Sequence, residues 1–153
     1  MLIARDNIFL NQTFRDKQSV FRFLAHHAVV QGWAENAQKI EADLWERENQ
    51  YSTGFESQIA IPHAKTANVS QAGVIFIRLQ QPIAWESLDD QPVQIIFGLL
   101  VPEAGAKLLH LQIINSLASQ IVDDEFRARL FAANDEDELF HYMQSRIEIK
   151  EQI

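Results

Sequence analysis

Ser52-Thr53-Gly54-Phe55-Glu56-Ser57-Gln58-Ile59-Ala60-Ile61-Pro62-His63 runs from turn residues into an apolar four and ends on an imidazole. Proline sets its own φ and biases Ile61 towards an extended conformation, so the backbone entering His63 has little freedom. The spacing predicts a strand that stops in Pro-His and leaves the ring at a sheet edge or end. In open α/β sheets that is where loops gather and ligands bind. Histidine is the side chain that can be neutral, and therefore nucleophilic, near pH 7. A turn histidine solvated at the strand end is the plain alternative, and this window alone does not separate the two.

The flanking sequence places further candidates around His63. Asn36 is a good cap for a helix over 37–49, on which Ile40, Leu44, Arg47 and Tyr51 share a stripe. An arginine on the apolar side of a helix wants an anion, unless its stem packs while its head snorkels to water. Glu48 balances charge nearby, and nothing in the sequence assigns it chemistry. Beyond a loop over 65–71, residues 72–79 and 93–101 are near-continuous apolar runs that read as strands buried on both faces. Gln81-Pro82 is expected to end the first, and Pro102 the second. A helix from Ala106 to about Val122 then carries His110, Ile114, Leu117 and Ile121 on one stripe. A histidine so placed is more often a satisfied boundary residue. If the strands that His63 and His110 follow are neighbours in one sheet with their ends on the same side, however, both rings can meet in one cleft.

Outside this centre, Ile8-Phe9-Leu10 has strand-like content, and Asp16 or Ser19 can cap a helix over 17–31 closed by Gly32. Adjacent His26 and His27 would point about 100° apart on it and so make a poor metal pair. Two closing helices are capped at Asp123 or Asp124 and at Asn134 or Asp135. Helices and buried-type strands alternate in mid-chain, and helices dominate both ends. The expected fold is therefore α/β: a three-layer α/β/α sandwich with a mixed four- to five-stranded sheet, built as one domain over 1–153.

Composition removes several function classes. The 153 residues suit a single domain with a real core. The net charge of −8 and the lack of a basic stripe argue against nucleic-acid binding. No cysteine is present, which removes disulfides, thiolate catalysis and Cys-type zinc sites. No apolar run approaches the roughly eighteen residues of a membrane span, and the first residues lack the pattern of a signal peptide. A cytoplasmic location is expected. Neither a phosphate-binding glycine loop nor carboxylates spaced for magnesium occur, so no metal and no cofactor are expected.

Arg47-Glu48, Ser52-Thr53-Gly54 and Ile59-Ala60-Ile61-Pro62-His63-Ala64-Lys65 together resemble the phosphorylation-site signature of the fructose/mannitol-type enzyme IIA of the bacterial phosphoenolpyruvate-dependent sugar phosphotransferase system. The resemblance extends from about Ile8 to the last helical stretch. It implies that His63 accepts a phosphoryl group, that Arg47 supports it, and that His110, within Leu109-His110-Leu111, is a second active-site histidine. Thr53 and nearby backbone N–H groups would add neutral donors. The implied partners are an HPr-like phosphocarrier and the thiol of an enzyme IIB, with membrane contact only through an enzyme IIC. One departure is Glu56-Ser57-Gln58, where family members often carry one or two glycines. A regulatory, nitrogen-type enzyme IIA is the alternative reading. A non-phosphorylated binding module, as in cytoplasmic domains of anion transporters, fits the histidines and arginine less well, and a His-based phosphatase lacks its acids and ligands.

Overall fold

The computed structural model describes residues 3–104 and 107–147. Among them, a short 3-10 turn (Arg5–Asn7) leads into β1 (Ile8–Gln12), followed by α1 (Lys17–Val30) and α2 (Ala37–Glu48). Then come β2 (Ile59–Ala60), β3 (His63–Thr66), β4 (Gly73–Ile83) and β5 (Val93–Pro102). The chain closes with α3 (Lys107–Ile121), α4 (Asp124–Ala132) and α5 (Glu136–Arg146). The expected helix start at Ala106 lies outside the described residues. Four helix starts are held by the acceptor side chains that an N-terminus needs. Asp16 accepts from Ser19 N–H, Asn36 from Lys39, Asp123 from Phe126 and Asp135 from Glu138.

The five strands make one mixed sheet. β1 lies parallel to β4, β4 antiparallel to β5, and both β2 and β3 run parallel to β5 on its other edge. Ile59 pairs with Ile95, and after the gap His63 pairs with Leu99 in unchanged register. β2 and β3 are thus one line of chain interrupted at Ile61-Pro62. The expected strand end at Pro-His is corrected here: the chain pairs again from His63 to Thr66. Proline has no N–H to give the ladder, yet its carbonyl still accepts from Leu99 N–H (2.9 Å), so the edge survives the missing donor. β4 likewise runs on through Gln81-Pro82 to Ile83. Its partner β1 stops opposite Leu79, so Pro82 removes no bond on that side.

Alternation along the strands splits the core into two layers. Phe76, Ile95, Phe97 and Leu99 face Ile113, Leu117, Phe126 and Met143 of α3–α5. Ile75, Ile77, Ile96 and Leu100 face Phe21, Leu24, Ile40 and Leu44 of α1 and α2. Each such side chain contributes about 1.5–3 kcal/mol by leaving water, which is what holds helices on both faces. The expected three-layer α/β/α sandwich is the fold observed. His27 is buried with Nε2 2.8 Å from Asn7 Oδ1, while His26 is exposed. No described helix is long and apolar enough to cross a membrane.

Candidate active site

Three elements deliver three side chains to one cleft. The last turn of α2 carries Arg47, the restart of the edge strand carries His63, and the first turns of α3 carry His110. A cavity of about 640 Å³ is lined by these three together with Asp43, Glu46, Lys65 and Glu103, among others. The His63 and His110 ring centroids lie 5.0 Å apart, tilted by 50°. His63 opens β3 and His110 follows β5. The parallel pairing of β3 with the last residues of β5, His63 with Leu99 to Thr66 with Pro102, brings His63 to the end of the sheet from which α3 departs.

The surroundings of His63 determine its tautomer. Nδ1 is 2.9 Å from the Ile61 carbonyl, which can only accept, so Nδ1 carries the proton. Nε2 lies 3.1 Å from Arg47 Nε, which can only donate, so Nε2 holds the lone pair. Burial, joined by the Arg47 charge, pushes the imidazole down to about 4 despite the favourable Ile61 contact. At neutral pH His63 is a neutral ring with its free electron pair turned to the guanidinium. Arg47 also donates from Nη1 to the Tyr51 carbonyl (2.8 Å), and its Cζ sits 4.2 Å from the Tyr51 ring centroid. Its Nη2 has no hydrogen-bond partner among the described residues.

His110 is half-buried, and burial followed by the Lys65 and Arg47 charges lowers its pKa. Its Nε2 is out of contact with solvent and has no hydrogen-bond partner among the described residues. Thr53 departs from expectation. It is buried, and both its N–H (2.9 Å) and its hydroxyl (2.5 Å) are donated to Glu48, so neither is turned to the cleft. Glu48 is the residue that sequence reasoning passed over. Its carboxylate is buried and also accepts from Lys17 Nζ at 3.0 Å. The signal was present, because 40, 44 and 48 follow the core-facing i, i+4 spacing as closely as 40, 44 and 47 do. Among the described residues, no group of three or more potential ligands is placed to hold a metal ion.

The sequence model of the family described as "Phosphoenolpyruvate-dependent sugar phosphotransferase system, EIIA 2" matches residues 1–146. The chain belongs to this family. This EIIA chain is 31% identical over 146 residues to multiphosphoryl transfer protein 1 of Escherichia coli K12, and covers 95% of itself and 17% of that relative. It is 35% identical over 126 residues to the fructose-specific EIIA component of Haloferax volcanii, covering 82% of this chain and 81% of that protein. Among solved structures it superposes on the nitrogen regulatory protein IIA-Ntr of Neisseria meningitidis with a TM-score of 0.86 and 28% identity. That match covers 92% of this chain and 95% of the other. The E. coli complex of enzyme IIA mannitol with phosphorylated enzyme IIB mannitol contains the same fold, with a TM-score of 0.78 at 23% identity over 94% of this chain and 98% of the other. As an EIIA, the chain is a phosphotransferase-system component of the fructose/mannitol type.

Proposed function

We propose that this EIIA chain, folded as one domain, takes a phosphoryl group from an HPr-like phosphocarrier onto Nε2 of His63 and hands it to the thiol of an enzyme IIB. The observation that carries the reading is the tautomer of His63, with Nδ1–H on the Ile61 carbonyl and the Nε2 lone pair at the cleft, where it accepts from Arg47 Nε. In the first step that pair attacks phosphorus, a P–Nε2 bond forms, and the P–N bond of the donor phosphohistidine breaks. The donor's ring nitrogen takes back the electron pair. In the second, a thiolate attacks phosphorus, a P–S bond forms, and Nε2 regains its pair. Arg47 moves its charge-assisted hydrogen bonds from Nε2 to the phosphoryl oxygens. His110 supplies a further donor from the cleft wall, and Thr53 acts indirectly, as part of the loop that holds the site. Positioning and donors suffice for transfer between two proteins. Membrane contact would come only through an enzyme IIC, from the cytoplasmic side.

Incubation with phosphoenolpyruvate, enzyme I and HPr should add one acid-labile phosphoryl group, and His63→Ala should take none. Undiminished labelling of that variant would sink the assignment. The likeness to the Neisseria IIA-Ntr favours a second reading, in which phosphorylation of the same histidine controls binding to a regulated partner. The two readings differ in the acceptor. Transfer onward to an IIB cysteine supports the relay. A phosphorylated chain that no IIB dephosphorylates supports regulation.

A further inference from the structure

Consecutive residues at the end of α2 point to opposite sides of the site: Arg47 into the cleft and Glu48 into the interior. The Glu48 side chain is 3% exposed and receives three donors. They are the Thr53 hydroxyl and N–H and the Lys17 ammonium, which itself lies 5.0 Å from the Trp85 ring centroid. Burial disfavours its charge, but these three donors outweigh burial and keep the carboxyl below the usual range. The network continues past Thr53. Its carbonyl accepts from Ile61 N–H (3.0 Å), and the Ile61 carbonyl faces His63 Nδ1 (2.9 Å). Ile61 N–H points to the outer side of the edge strand, where Gly54 and Ala60 form an antiparallel bridge; Phe55 N–H makes its second bond, to the Ile59 carbonyl (2.8 Å).

We infer that Glu48 is a positioning residue that sets the tautomer and orientation of the His63 ring through Thr53 and the Ile61 peptide. The inference deepens the phosphoryl-relay reading and rests on it only for the rate effect. With Glu48 in place, the Ile61 carbonyl is aimed at Nδ1 and the lone pair stays on Nε2. Without it, the loop carrying Thr53 loses its side-chain anchor to α2, the Ile61 carbonyl is less firmly aimed at Nδ1, and the tautomer rests on the Arg47 donor alone. Glu48 lies away from any docking partner, so its loss lowers the transfer rate without changing the carrier concentration at half-maximal rate.

The test compares wild type with Lys17→Met/Glu48→Leu, in which the buried ion pair becomes two apolar side chains and the two Thr53 donors lose their acceptor. Nitrogen-15 histidine spectra of the unphosphorylated proteins should show His63 as the pure Nδ1–H form in wild type and as a tautomer mixture in the double variant. The transfer rate should fall roughly tenfold, the share of one well-made hydrogen bond. Glu48→Gln, whose amide oxygen still accepts from Thr53 N–H, should keep most of the wild-type pattern. Thr53→Val, which removes only the hydroxyl arm, should give a partial mixture and serves if the double variant does not fold. A double variant, or in its place Thr53→Val, with the wild-type His63 spectrum overturns the inference. The spectra need no phosphoryl donor. A wild type that takes no phosphoryl group would therefore end the relay reading and leave the Glu48 comparison standing.

Discussion

Arg47 donates to His63 Nε2, the nitrogen that would receive the phosphoryl group in the proposed relay, so its guanidinium would have to move aside as the group arrives. A planar fork can shift from one nitrogen to two oxygens, whereas a lysine ammonium offers a single charged point. Arg47→Ala should slow transfer through His63 by roughly ten- to hundredfold, the equivalent of losing a charge-assisted bond of about 1.5–3 kcal/mol. Arg47→Lys should remain clearly impaired. Wild-type rates in both would reduce Arg47 to a side chain that rests its guanidinium on the Tyr51 ring and carbonyl. His110 answers a different measurement. A phosphoryl group brings about −1.5 to −2 charges, and an anion nearby favours protonation. Its pKa, held low by burial and the cations around it, should therefore rise on phosphorylation. Histidine-selective NMR titration of both forms checks this, and identical His110 curves would show that its ring does not sense the site. For His63 the sign of the acid dependence follows from its depressed pKa. The unfolded chain takes up a proton near 6.5 while the native ring waits until about 4. Stability is complete above that window and is lost as pH falls through it. His63→Ala should lose less than wild type between pH 6.5 and 4 in urea titrations.

The turn before β2 shows what an element can and cannot reveal in sequence. In Glu56-Ser57-Gln58, Ser57 and Gln58 both have positive φ, 60° and 66°. The backbone keeps a shape that glycine adopts freely, and here ordinary side chains bear the cost. Ser57 N–H donates to Asp89 Oδ2, and the Gln58 carbonyl accepts from Gln94 and Ile95 N–H, which together hold the turn in that shape. Gln58→Gly should stabilise the fold by about 1 kcal/mol, relief of left-handed strain set against glycine's entropy. Chemical denaturation measures it, and a loss of stability would mean that the turn is not strained. Gly54 is constrained for another reason. A Cβ there would lie 1.9 Å from the Glu86 carbonyl oxygen, so the loop packs directly on the segment after β4. Helix caps were legible because each needs only a side chain three residues ahead. The restart of the edge strand at His63 was not, because it depends on β5, some forty residues further on. Burial of Glu48 was legible in spacing but went unread, since a lone acid on a helix stripe names no partner.

At the scale of the whole molecule, the layering could be read in advance because the two near-continuous apolar runs, 72–79 and 93–101, leave no polar face. Their antiparallel pairing, and the parallel edge beside it, could not be read, because register is settled by partners distant in sequence. Gly98 marks how closely the layers approach: a Cβ there would lie 2.6 Å from Leu24 Cδ2. Gly98→Ala should therefore cost about 1–3 kcal/mol through overpacking and leave the cleft chemistry intact in the folded fraction. The meeting of His63 and His110 was foreseen only on condition that the strands they follow adjoin, and β2, which runs parallel beside β5, meets that condition. The central claim concerns one atom of this assembly. Long-range proton–nitrogen correlation spectra of the phosphorylated, nitrogen-15-labelled protein locate the P–N bond directly. The account predicts phosphorus on Nε2 of His63 with the proton retained on Nδ1. Phosphorus on Nδ1, or on any residue other than His63, would contradict it.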